Sequence, residues 1–261
     1  MIKLIKQELN LMALALTFFS RIPSPFKLDF SAENLSKASR YFTLVGWGLG
    51  FIVAFVFWIS NQIFSVQISI WICIACNLLL TGCFHQDGLA DMADGCGGGF
   101  TIEKKLEIMK DSRLGTYGAC ILFFALSGQF LLLNELSQLD PNAFIWYLPA
   151  AYAISRAVAS SFIFDMAYQT LDRVSKSKPL ANQQSRTDLL VSLLTALPVC
   201  FFLGWIQSLV LILTLMIFRV VFKGFLNRQL KGYTGDCLGA AQQISELIIY
   251  LILIACIGFQ I

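Results

Sequence analysis

Six acidic residues, the only histidine of the chain and a run of glycines are concentrated between Phe84 and Gly115. The first block reads His85-Gln86-Asp87-Gly88-Leu89-Ala90-Asp91-Met92-Ala93-Asp94-Gly95, with Gly97, Gly98 and Gly99 close behind. The second reads Asp111-Ser112-Arg113-Leu114-Gly115. On a helix, spacings of four and three residues place Asp87, Asp91 and Asp94 on one face, each about one turn from the next. Carboxylates held that close repel one another unless a cation sits between them. Hard oxygen ligands select magnesium, manganese or calcium over zinc, and magnesium commonly shares its shell with water and substrate phosphates. Asp111, on a second helix able to fold back against the first, is the expected fourth metal ligand, and Arg113 offers a phosphate oxygen a planar fork of donors. The alternative is a solvated loop face, but a plain connection beside a bilayer has no need of so much glycine, aspartate and histidine. Glu103, Lys104, Lys105 and Glu107 read as a mixed-charge helix surface.

Other positions could join this chemistry. Arg156 lies in an otherwise apolar stretch, where a charge costs about 2.5–3.5 kcal/mol on insertion scales and calls for an anionic partner. Substrate phosphate, Glu246 and Asp236 are the candidates. Asp236, within Thr234-Gly235-Asp236-Cys237-Leu238-Gly239, stands at the start of a helix, where it serves as a cap or reaches the acidic loop. An ordinary histidine titrates in the range of a general base, so His85 is a candidate for that role; capping a helix or bonding a carboxylate is the other reading.

The elements that must position these residues are membrane helices. Apolar residues make up 57% of the 261 and charged residues only 13%, a membrane profile, and the net charge of +3 gives no reason to expect nucleic acid. Apolar windows predict seven spans: Tyr41 to Ile59, Val66 to Phe84, Tyr117 to Leu136, Ala143 to Phe164, Leu189 to Leu203, Gln207 to Leu226 and Asp236 to Phe259. Pro198 and Gly204-Trp205 mark the turn between the fifth and sixth. The loops Asn61 to Ser65, Ser137 to Asn142 and Gly204 to Ile206 and the C-terminal Gly258 to Ile261 contain no Lys or Arg. Arg21 to Arg40, Lys104 to Arg113, Arg173 to Arg186 and Arg228 to Lys231 are all basic, so the positive-inside rule turns them, and the acidic loop at 85–116, to the cytoplasm. The N-terminal segment carries Lys3 and Lys6 before it and Arg21 after it. With Ile2, Ile5, Leu9, Met12, Leu16 and Phe19 on one face, it is expected to be an interfacial or re-entrant helix rather than a first span. No cleavable signal is expected at the N-terminus. Ser175-Lys176-Ser177-Lys178-Pro179 reads as a polar loop, and the eight cysteines read as small packing residues, with Cys83 and Cys96 as remote metal candidates. The fold class is therefore all-α, a single polytopic membrane domain over 1–261.

Several blocks together resemble one family. They are Phe18-x-x-Arg21-Ile22-Pro23, Phe84-His85-x-Asp87-Gly88-Leu89-Ala90-Asp91-x-x-Asp94-Gly95, Lys110-Asp111-Ser112-Arg113-Leu114-Gly115-Thr116-x-Gly118, Ser155-Arg156 and Thr234-Gly235-Asp236-x-Leu238-Gly239-Ala240-Ala241. In this order, across nearly the whole chain, they resemble the bacterial cobalamin synthase family, the adenosylcobinamide-GDP ribazoletransferases. The resemblance implies a magnesium-dependent enzyme of the bacterial cytoplasmic (inner) membrane. It would join adenosylcobinamide-GDP to α-ribazole or its 5′-phosphate, releasing GMP, in the last assembly step of the vitamin B12 nucleotide loop. It implies that Asp87, Asp91, Asp94 and Asp111 hold Mg2+, that Lys110, Arg113, Arg156 and Asp236 contact substrate, and that His85, Asp91 or Asp94 acts catalytically. A homo-oligomer, or association with other cobalamin-assembly enzymes, is compatible with it. The family pattern has a carboxylate where Gln243 stands, and residues 165–185 match it loosely. A CDP-alcohol phosphotransferase is the competing enzyme, but Gly98-Gly99 stand where that pattern needs Ala-Arg. A transporter would place its acids nearer the midplane and show repeated halves.

Overall fold

The computed structural model describes residues 2–24, 26–171 and 184–259. Twelve α-helices are described: α1 (Ile2–Phe19), α2 (Ala32–Ala38), α3 (Phe42–Ser60), α4 (Val66–Thr81), α5 (Phe84–Gly98), α6 (Ile102–Met109), α7 (Thr116–Leu139), α8 (Phe144–Asp165), α9 (Arg186–Ala196), α10 (Val199–Phe202), α11 (Trp205–Leu230) and α12 (Gly235–Gly258). Among the described residues the only β pairing is an isolated bridge between Tyr168 and Tyr233. Arg173 and the stretch Ser175 to Pro179 lie outside the described residues.

Local sequence sets the helix starts. Ser31, Thr101 and Thr234 each accept a backbone N–H with the side-chain oxygen, and Ser185 and Asp188 cap α9 reciprocally. The core is built on α8, buried along almost its whole length between α3 and α12. Its alanines and serines let these neighbours approach, and Tyr147, Tyr152 and Phe162 fill the remaining space. Apolar side chains also face outward. Phe123, Phe124 and Leu131 on α7, and Met216, Ile217, Val220 and Val221 on α11, are all at least 60% exposed, a surface suited to lipid and not to water.

By length and composition, Glu33–Ser60, Thr116–Leu139, Trp205–Leu230 and Gly235–Gly258 can each cross a membrane, and α4 with α5 would make a fifth as one bent span. Seven spans are expected from the sequence; among the described residues four helices, or five spans with the bent pair, have the length and composition of a crossing. Arg156 and many small residues dilute the hydropathy of α8, and α9 is only 11 residues long and stops before Pro198. In α1, Leu11, Leu14, Ala15 and Phe19 are buried while Ile5, Leu9 and Met12 are exposed, leaving an apolar outer stripe. Arg40 ties α1 to α9 through Glu8 at 3.3 Å and Asp188 at 2.6 Å.

One bend positions the acidic segment. Gly82 (φ 64°) and Cys83 (φ 60°) are both left-handed, and the chain turns by 84° from α4 into α5. Glycine takes that conformation without strain; cysteine does so at a cost of order 1–3 kcal/mol. α5 therefore lies across one end of the bundle instead of continuing the span. Four contacts bring the basic connections to that same end. Arg21 N–H donates to Leu80 O, Tyr233 N–H to Ala167 O, Lys105 Nζ to Gln229, and α5 crosses the start of α12.

Candidate active site

Gly88 decides how α5 meets α12. A Cβ there would stand 2.9 Å from the Asp236 Cα and carbonyl oxygen, so the two backbones cross in a contact that only glycine permits. The crossing carries the Asp236 carboxylate to the face that presents Asp87 and Asp91. Burial, then the charges of Asp236, Asp87 and Asp94, push the Asp91 carboxyl up to about 7. Asp87, Asp94 and Asp236 are thus the carboxylates whose charge reaches Asp91.

Asp94 has a further task. It is buried, its Oδ2 accepts the Gly115 N–H at 2.8 Å and its Oδ1 the Gly118 N–H at 2.9 Å. These donors belong to the first turn of α7, whose unpaired amides and positive dipole end favour a carboxylate. Asp94 therefore caps α7 from a neighbouring helix.

Asp111 is placed differently from its expected position as fourth ligand. It follows α6 instead of lying within it, and Arg113 covers it through its backbone N–H, Nε at 3.0 Å and Nη2 at 2.5 Å. Arg113 pulls its carboxyl down to about 2, and Asp111 is not among the groups that act on Asp91. Asp236, from α12, is the carboxylate whose charge acts most on Asp91. Lys110 caps the C-terminus of α6 and is exposed. Lys105, expected on a solvated surface, is buried, with its ammonium donating to the Gln229 side chain and carbonyl and docking α6 on α11.

His85 is buried, its ring lying parallel to Phe19 with centroids 6.2 Å apart. Burial, then the Arg156 charge, lowers its basicity well below the ordinary value, so it stays neutral. Arg156 is only 3% exposed. Its Nη1 donates to Tyr152 O at 3.0 Å, its guanidinium lies 5.1 Å from the Tyr152 ring centroid, and its Nε is unpartnered. Glu246 is held by other groups than Arg156: Gln129 Nε2 donates to it at 2.9 Å, Gln242 Nε2 at 2.6 Å and the Tyr250 hydroxyl at 3.2 Å. Gln243 donates to Gln242 at 2.7 Å and so extends this network. Reading the sequence missed the glutamine tier, although glutamines inside apolar spans were its visible signal. It also missed Gln86, buried with both amide atoms unpartnered. Such orphaned groups beside a carboxylate cluster are suited to a polar ligand.

The donor chemistry suits a hard dication: four carboxylates, uncompensated by any cation that acts on Asp91. Among the described residues no three His, Cys, Asp or Glu side chains are gathered at ligating distance. Magnesium is usually held by one or two carboxylates and completed by water and substrate phosphate.

The family model for cobalamin-5-phosphate synthase matches residues 11–254. The chain belongs to the cobalamin-5-phosphate synthase family. Adenosylcobinamide-GDP ribazoletransferase from Vibrio cholerae serotype O1 is 50% identical over 261 residues, all of this chain and 99% of that one. The Vibrio parahaemolyticus serotype O3:K6 protein of the same name is 48% identical, covering 96% of this chain and 94% of its own, and that of Shewanella frigidimarina 47% identical, covering 95% of each. No solved structure matches the chain. For a cobalamin-5-phosphate synthase, α5, α7, α8 and the start of α12 are thus the elements that build the acidic end of the bundle.

Proposed function

We propose that this chain is a magnesium-dependent adenosylcobinamide-GDP ribazoletransferase of the bacterial cytoplasmic membrane, with its acidic end toward the cytosol. It joins adenosylcobinamide-GDP to α-ribazole or its 5′-phosphate and releases GMP. This reading is supported by the like charges of Asp87, Asp94 and Asp236, from two helices far apart in sequence, that act on Asp91, and by the close crossing of those helices at Gly88. The names of relatives matched along their whole length supply the substrates.

In this reading Asp87, Asp91, Asp94 and Asp236 are the residues that would hold magnesium. Bound there, magnesium supplies positive charge to the diphosphate oxygens. The ribose hydroxyl oxygen forms a bond to the phosphorus on the cobinamide arm, and the bond from that phosphorus to the GMP oxygen breaks. Little covalent work falls to the protein, so positioning and charge carry the rate. Arg113 and Lys110, exposed at the rim, meet phosphate oxygens, with Asp111 holding the Arg113 fork until substrate competes for it. Arg156 acts from within the bundle, where its charge falls on His85. The hydroxyl proton passes to an aspartate of the cluster in preference to His85, whose burial makes it a weak base.

The test is incubation of proteoliposomes with adenosylcobinamide-GDP, α-ribazole and magnesium, following cobalamin and GMP together. Stoichiometric appearance of both, lost on chelation and restored by magnesium but not by zinc, is expected. GMP release without a cobalamin product, or CMP release from a CDP-alcohol in its place, refutes the assignment.

A further inference from the structure

A second candidate site lies across α8 from the acidic end. Ile154, Ala157, Val158 and Ser161 share one face of α8, and at 100° per residue Arg156 points to the opposite one. That face, with α9, α10 and α11, lines a cavity of about 590 Å³, open on its outer side, whose walls are mostly apolar. Its size is that of a small-molecule site. The cavity runs along α11 from Ser208 to Arg219, a rise of roughly 16 Å at ~1.5 Å per residue. That length is about one leaflet of a bilayer whose hydrocarbon is roughly 30 Å thick.

One end is charged. Arg219 Nε donates to Ser161 Oγ at 2.8 Å and its Nη2 to Asp165 at 2.7 Å, and Lys223 Nζ reaches the other Asp165 oxygen at 2.6 Å. Two cations share one carboxylate, which leaves a surplus positive charge. The three side chains are 27–31% exposed, so a headgroup can reach them. Asp165 ends α8, which puts this triad where the chain leaves the apolar layer. A soluble phosphate compound would leave the long apolar wall unused. An amphiphile fills both parts.

We propose that this cavity binds an anionic glycerophospholipid, with one acyl chain between α8, α9 and α11 and the phosphate on Arg219 and Lys223. The probe is phosphatidylglycerol. Full-length protein is delipidated in detergent, placed in nanodiscs of phosphatidylcholine with a minor share of phosphatidylglycerol, and its retained lipid is read by native mass spectrometry. One phosphatidylglycerol per chain is expected to be retained in preference to phosphatidylcholine. Arg219→Gln with Lys223→Gln is expected to cut that retention about tenfold, the equivalent of ~1.4 kcal/mol. Ala196→Trp, which fills the apolar end and leaves both cations in place, is expected to abolish it. If the double variant does not fold, Lys223→Gln and Ala196→Trp carry the test. Equal retention of the two lipids, unchanged retention in these variants, or equally tight binding of inorganic phosphate alone overturns the proposal.

Discussion

Replacing Asp94 by asparagine separates holding the fold from doing the chemistry. The Asp94 carboxylate accepts two backbone N–H groups from the first turn of α7, one on each oxygen. An asparagine has one acceptor oxygen, so its NH2 group faces the second donor. One charge-assisted hydrogen bond, worth about 1.5–3 kcal/mol, is lost, and the orphaned N–H costs about 1–3 kcal/mol. Partial relaxation brings the total to about 2–4 kcal/mol. For a chain of this size that lowers Tm by on the order of 10 °C, read by thermal unfolding of the detergent-solubilised protein. Asp91 is the control, because it accepts no hydrogen bond among the described residues and stands among like charges. Asp91→Asn is expected to leave Tm unchanged or raised while abolishing GMP release. If Asp94→Asn melts within about 2 °C of the parent, or no lower than Asp91→Asn, the capping role assigned to Asp94 is wrong.

Other outcomes follow from the same geometry. Arg156→Gln removes a cation whose charge acts on buried Glu246 and is expected to destabilise the fold, seen as loss of monodisperse protein in size-exclusion chromatography. Adding Glu246→Gln to it should recover part of the yield; no recovery argues against electrostatic coupling between the two. Gly88→Ala places a methyl group 2.9 Å from the Asp236 backbone, and the overpacking is expected to cost about 1–3 kcal/mol. Both Tm and transfer should fall, since separating α5 from α12 also withdraws Asp236; an unchanged rate would show that Asp236 is not needed at the cluster.

The helices were legible because apolar runs of span length have few alternatives, and the spacing of Asp87, Asp91 and Asp94 marked a helical face inside an expected loop. The bend before that helix was only half visible. Gly82 is a familiar left-handed residue, but nothing local makes Cys83 adopt φ 60°; packing of α5 on α12 and α7 imposes it. Asp111 shows the limit of motif spacing. Its own neighbour Arg113 competes for it at no loop-closure cost, whereas reaching Asp91 would require tertiary placement that the fold gives to Asp236. Lys105 was misassigned, and Gln129 and Gln242 beside Glu246 went unassigned, for a related reason. Their polarity matched a solvated face or an anomaly in a span, and only the packed partner shows the donor and acceptor that satisfy them.

The crossing of α5 over the first turn of α12 has a consequence for biogenesis. A nascent chain still missing its last helix lacks both the backbone that α5 rests on and the Asp236 carboxylate. The acidic end therefore takes its final form only once the last helix is in place.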